Sequence, residues 1–289
     1  MNLPGNPSKR IPLLPDRKRP LVFAHRGCSS LAPENTMAAF IKAQETGAPG
    51  IELDIHPTAD GKLVVVHDDT FIRTAPPDHN GGGKKPEELI YDEIRRLDAG
   101  SFFGSRWSGE RPPLLEEVLE TFCPVMYVDI ELKSRKTKDD PLPGLLAAKL
   151  RALGKLISAA VTVSSFNPFC LRAFKRAWQQ VKAEGTADIP TAVIWCADGE
   201  VPWILRRGFG RIMSGCDYLK PIHTQAAVNL GGALSRFRWQ IIEKRPIVPW
   251  TVDDRTLAKR LLAPLPAGIP GCEGIITNRP QDMCGLRES

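Results

Sequence analysis

The sequence predicts an α/β fold: a (β/α)8 TIM barrel with a small insertion after a hairpin on its second strand. Three observations carry that expectation. Eight apolar, β-branched runs recur along the chain, and helical patterns separate most of them. The 289 residues are enough for one such barrel. Polar and charged residues gather where several of these runs end, as expected at the mouth of a barrel. A doubly wound open sheet is the alternative that strand counting leaves open.

Taken in order, residues 1–20 ("MNLPGNPSKRIPLLPDRKRP") are rich in proline and lack the apolar core of a signal peptide, so a flexible arm is expected there. Residues 21–283 make up the barrel domain. Its first strand is LVFAHRG (21–27), and ENTMAAFIKAQETG (34–47) reads as a helix with Asn or Thr as its cap. GIELDI (50–55) is the second strand, and Asp60-Gly61 is a two-residue hairpin signal ahead of LVVVHDD (63–69). If Asp60-Gly61 is the turn, positions summing to 121 face each other and His67 lies opposite Asp54. The Gly- and Pro-rich stretch that follows, within about residues 70–113, is too long for a βα loop and reads as an insertion over one face.

Further strands are expected at 125–133, 160–166, 191–196, 217–221, 246–252 and 274–280. LLEEVLETF, LLAAKLRALG, PFCLRAFKRAWQQVKAEG and VPWILRRG read as helices between them.

Composition narrows the function. Hydrophobic residues at 42% and charged residues at 25% describe an ordinary soluble protein. The net charge of +6 would suit an anionic partner. The short basic clusters at 17–19 and 135–138 lack the interleaved aromatics that stack bases, so no nucleic-acid partner is expected. No apolar run approaches the ~20 residues that span a bilayer, so no stable membrane insertion is expected. Seven cysteines without paired spacing argue against a disulfide framework or a structural zinc site, and for a reduced, cytoplasmic location. The sequence leaves the oligomeric state open.

Residues two apart in a strand share a face, so Glu52, Asp54 and His56 point one way, as do Asp129, Glu131 and Lys133. Core strands seldom aim acids inward unless these are paired or bind metal. Glu52, Asp54 and Glu131 together suit Mg²⁺ or Ca²⁺; the other reading makes them ion-pair partners of Arg26 and Lys133. His25 and His67 both sit at strand ends and supply a candidate acid/base pair. Arg26 beside His25 can grip phosphate in a bidentate fork. Glu34 and Asn35 read either as a helix entrance or as polar support for a site. Trp250 ends an apolar run where it could line a pocket mouth.

These stretches resemble the glycerophosphodiester phosphodiesterase family. The resemblance runs through "AHRG", "APENTMAAF", "GIELDIHPTADGKLVVVHDD", "LDAGSFFG", "VDIELK", "VPWTVDD" and "GIITNRPQDM", covering residues 21 to 283. It implies a TIM barrel that hydrolyses glycerophosphodiesters to glycerol 3-phosphate and an alcohol with a divalent metal. It also implies catalytic roles for His25 and His67, metal ligation by Glu52, Asp54 and Glu131, and phosphate binding by Arg26 and Lys133. Glu34 and Asn35 match the polar pair of the family motif. The nucleophile stays open between water and the glycerol 2-hydroxyl, as does which histidine is the base. A lysophospholipase D on the same barrel is the alternative, with Phe102, Phe103 and Trp107 lining an apolar groove.

Overall fold

The computed structural model describes residues 20–75, 83–197, 201–226 and 230–287. All of the expected N-terminal arm except Pro20 lies outside them, as do residues 76–82 of the insertion. Among the described residues eight strands are formed: β1 (Leu21–His25), β2 (Gly50–Pro57), β3 (Leu63–Val65), β4 (Tyr127–Leu132), β5 (Val161–Ser165), β6 (Thr191–Trp195), β7 (Tyr218–Pro221) and β8 (Gly274–Thr277). Seven of them run in the order β7-β6-β5-β4-β2-β1-β8, each pair parallel, and β3 pairs antiparallel with β2.

Residues 246–252 close the ring between β7 and β8. Val248 N–H and Trp250 N–H donate to Leu219 and Pro221 on one side, at 2.8 and 3.1 Å. On the other side, Glu273 N–H and Ile276 N–H donate to Ile247 and Pro249, both at 2.9 Å. The segment therefore acts as a barrel strand but makes only isolated bridges, from Ile247 to Leu219 of β7 and from Trp250 to Ile222 just after it. Pro246 and Pro249 explain this, because neither has an N–H to give to a ladder. The fold is an α/β parallel barrel ringed by helices.

The hairpin differs from expectation by one residue. Ile55, His56 and Pro57 face Val65, Val64 and Leu63, so paired positions sum to 120, and Asp54 accepts from Val66 N–H at 3.0 Å. The loop holds three residues, Ala59-Asp60-Gly61, with Gly61 N–H donating to Thr58 and Gly61 at φ +73°. A type I turn followed by a left-handed glycine adds one residue to the two-residue turn that Asp-Gly suggests. His67 therefore lies one step beyond the pair with Asp54.

The stretch 201–208 is also not a helix. Leu205 N–H and Gly208 N–H close successive turns onto Pro202 and Leu205. Among its apolar side chains only Val201 is buried, and Trp203 and Ile204 are exposed, so little apolar surface is covered that could hold a helix together. The helix begins only at Gly210.

Most β-strand side chains join one core that extends through the surrounding helices. A second, smaller core (Val64, Val66, Phe71, Leu89, Tyr91 and Ile94 among its members) ties the insertion to β3.

Candidate active site

The site grows from the turn after β1. Arg26 (φ +56°) and Gly27 (φ +82°) reverse the chain, and a Cβ on Gly27 would lie 2.7 Å from Ala39 of helix Met37–Glu45. Only glycine permits that close approach with this backbone. Thr36 caps the helix by accepting from Ala39 N–H. Asn35 is thereby left at φ +56°, with its side chain turned toward the barrel rather than used as the cap. Its Nδ2 donates to Asp54 Oδ2 at 2.9 Å.

Register then assembles the acids. Glu52 lies beside His25 on β1 and Asp129 on β4, and Asp54 lies beside Glu131. Carboxylate oxygens of Glu52, Asp54 and Glu131 all lie within 4.8 Å of one another, and all three residues are buried. Asp54 is flanked by Arg26 Nε at 3.4 Å and by Lys133 Nζ at 3.4 Å; Lys133 also donates to Glu131 at 2.8 Å. Burial opposes ionisation of Asp54, yet Lys133 and Arg26 outweigh it and hold the carboxyl below its usual range. Glu52 has no such cation beside it: it accepts from Arg26 N–H at 3.1 Å, with His25 Nε2 at 4.0 Å. Burial first, then the charge of Asp54, pushes the Glu52 carboxyl up. A trio of crowded, buried oxygen donors that lacks enough positive charge is the donor set a hard divalent ion fits.

The two histidines are held differently. His25 Nδ1–H donates to Asn278 Oδ1 at 2.7 Å. Asn278 must present its oxygen, because its Nδ2 donates to Asp253 Oδ2 at 2.7 Å. Burial and then Arg26 lower the His25 pKa to about 4. The ring is therefore neutral at pH 7, with an unprotonated Nε2. His67 Nδ1–H donates to Asp68 Oδ1 at 2.6 Å. Arg73 binds Asp68 through Nε at 2.6 Å and grips Glu34 through both terminal nitrogens at 2.7 and 2.8 Å. Burial opposes it, but the Arg73 and His67 bonds lower the Asp68 pKa to about 2.

The structure thus brings together His25, Arg26, Glu52, Asp54, Glu131 and Lys133. Glu34 and Asn35 turn onto Arg26, Arg73 and Asp54, so both brace other site residues. Trp250 donates from Nε1 to the Lys220 carbonyl at 3.0 Å and meets Phe166 edge-on at 5.5 Å. His56, which shares the strand face of Glu52 and Asp54, is buried against the His67 carbonyl at 3.4 Å.

Sequence reading missed Asp68, Arg73, Asp253 and Lys220. Only Asp68, next to a strand-end histidine, carried a local signal. Lys220 pairs with Asp129 at 2.5 Å in the barrel interior, where Ser164 joins both.

The family model of the glycerophosphoryl diester phosphodiesterases matches residues 25–282. The chain belongs to that family. It is, by that membership, a phosphoric diester hydrolase. A glycerophosphodiester phosphodiesterase of Caldanaerobacter subterraneus is 32% identical over 277 residues, which is 92% of this chain and 97% of that one. One from Bacillus altitudinis is 30% identical, covering 92% and 98% of the two chains. Among solved structures, an Oleispira antarctica phosphodiesterase in complex with the product sn-glycerol-3-phosphate is 25% identical. It superimposes with a TM-score of 0.69 over 93% of this chain and 97% of its own. An Agrobacterium tumefaciens glycerophosphodiester phosphodiesterase gives the same identity and TM-score over 92% and 100%.

Proposed function

We propose that the chain hydrolyses glycerophosphodiesters to glycerol 3-phosphate and an alcohol, with a Mg²⁺ or Ca²⁺ ion held by Glu52, Asp54 and Glu131. The carboxylate trio beside two independently oriented histidines is the observation that supports this most. A divalent ion, when bound there, supplies Lewis-acid stabilisation of phosphate charge. The remaining chemistry belongs to side chains. Arg26 and Lys133 neutralise the phosphate and hold it against the trio. Neutral His25, with its Nε2 lone pair free, takes the proton of the nucleophile, which is water or the glycerol 2-hydroxyl; in the second case water then opens the cyclic phosphate. His67, braced through Nδ1 by the ionised Asp68, carries the proton to the leaving oxygen from Nε2. Trp250 contacts the substrate at the barrel mouth, and Glu34 and Asn35 keep Arg26 and Asp54 in place. A cytoplasmic location fits this substrate class, and no helix among the described residues is long and apolar enough to cross a membrane.

A second reading is a lysophospholipase D at a membrane surface. It is favoured by Phe103, exposed beside Phe102 in the insertion. Turnover of glycerophosphocholine against lysophosphatidylcholine separates the two: a preference for the deacylated diester supports the first, a preference for the lysolipid the second.

A further inference from the structure

Away from the catalytic trio, Lys136, Lys138, Arg172 and Arg176 line a cleft of about 460 Å³ between the loop after β4 and helix Pro168–Val181. The loop is braced. Asn167 Nδ2 donates to the carbonyls of Lys136 and Ser134, at 2.7 and 3.3 Å, and Lys136 N–H donates to Ser134 Oγ at 3.1 Å. The cations are therefore presented from a fixed frame.

None of the four makes an ion pair with a described residue. Lysines nearby are neutralised: Lys175, on the same helix, pairs with Asp217 at 3.3 Å, and Lys149 pairs with Glu116 at 2.8 Å. The cleft also contains Asp139 and Asp140. Asp140 is already committed, accepting from Ser134 Oγ at 2.5 Å and from Leu142 N–H at 3.1 Å. Four cations against two carboxylates leave an excess of two positive charges in a concave space.

We infer that this cleft binds a phosphate monoester. The dianion, with about −1.5 to −2 charge at pH 7, matches the excess charge, and two arginines supply fork-shaped donors suited to its oxygens. The volume lies within the roughly 300–1,000 Å³ of small-molecule sites. Phe169, 39% exposed on the cleft wall, offers an apolar surface to the carbon portion of the ligand. The inference is independent of the hydrolytic reading, since none of the four cations takes part in it. The monoester can be a free small molecule or a lipid headgroup; both offer the same group to the cleft.

The test is equilibrium dialysis of inorganic phosphate and of glycerol 3-phosphate against the full chain carrying R26Q and K133Q, which removes the cations assigned to phosphate at the barrel mouth. One equivalent of phosphate monoester is expected to remain bound. Adding R172A and R176A is expected to weaken it by about tenfold or more. K136A and K138A, an independent exposed pair, is expected to do the same, and thermal melts check that each variant is folded. Flotation with phosphatidylcholine vesicles, with and without phosphatidic acid, identifies the source. Capture that needs phosphatidic acid and is lost in R172A/R176A assigns the ligand to a lipid headgroup. Binding of soluble probes alone assigns it to a free phosphate. No binding of any probe, or binding that both arginine and lysine variants leave unchanged, overturns the inference.

Discussion

Asn278 fixes the tautomer of His25. The 2.7 Å bond from His25 Nδ1–H ends on an amide oxygen whose own orientation is set by Asp253, which takes both the amide N–H and the backbone N–H of Asn278. The proton is thereby kept on Nδ1 and the lone pair on Nε2. Asn278→Ala should leave the melting temperature little changed and lower kcat about 10- to 100-fold, with KM nearly constant. Asp253→Asn should act in the same direction through Asn278. Steady-state kinetics on both variants checks this; an unchanged kcat would show that ring orientation does not limit the reaction.

In the proposed mechanism the two histidines serve opposite ends of the reaction. His25→Ala and His67→Ala, each folded, should each lose about 10²- to 10⁴-fold in kcat. They should also differ with substrate: a diester whose leaving alcohol has a low pKa needs no acid, so it should rescue His67→Ala and not His25→Ala. Kinetics on an aryl phosphodiester against glycerophosphocholine reads that difference.

Much of this site is visible in the sequence because strands impose a period of two. Glu52, Asp54, Glu131 and Lys133 fall on inward faces for that reason alone, and Gly27 announces a turn at the end of β1. The rest is non-local. Asn278 reaches His25 across 253 positions, and Arg73 reaches Glu34 across 39, so no spacing rule connects them. The hairpin register turned on one backbone angle at Gly61. The bridged segment 246–252 looks like a strand in sequence because its apolar residues do line the barrel, while its two prolines interrupt the ladder.

If the trio holds the proposed metal, Glu52 should pull metal affinity and metal-free stability in opposite directions. Its folded pKa is raised, so at pH 7 the buried charge is unfavourable beside Asp54. In the presence of chelator, Glu52→Gln should raise Tm by about 2–4 °C. The same substitution should weaken Mg²⁺ or Ca²⁺ binding by about 100-fold. Calorimetry with and without metal measures both, and a fall in the metal-free Tm would contradict the crowding argument.

Asp68 sets an acid-side dependence. Its folded pKa of about 2 lies below the ordinary carboxylate value of about 3.9, so its contribution is fully present above pH 4 and is lost as pH falls toward 2. The stability difference between wild type and Asp68→Asn should therefore be constant from pH 5 to 7 and shrink below pH 4. Denaturant unfolding across that range supplies the measurement.

The Asp129–Lys220 pair lies fully inside the barrel. Lys220→Met leaves Asp129 buried without a cation and should cost about 3–5 kcal/mol. Adding Asp129→Leu should recover most of that loss. Urea unfolding of the single and double variants tests this; equal loss in both would place the cost in packing instead.

Metal-assisted hydrolysis is measured by glycerol 3-phosphate release from glycerophosphocholine, first with chelator and then with added Mg²⁺ or Ca²⁺. Release is expected to stop with chelator, to return with one of these ions, and to be abolished by Asp54→Asn. Release that persists in chelator and survives Asp54→Asn would contradict the role assigned to the carboxylate trio.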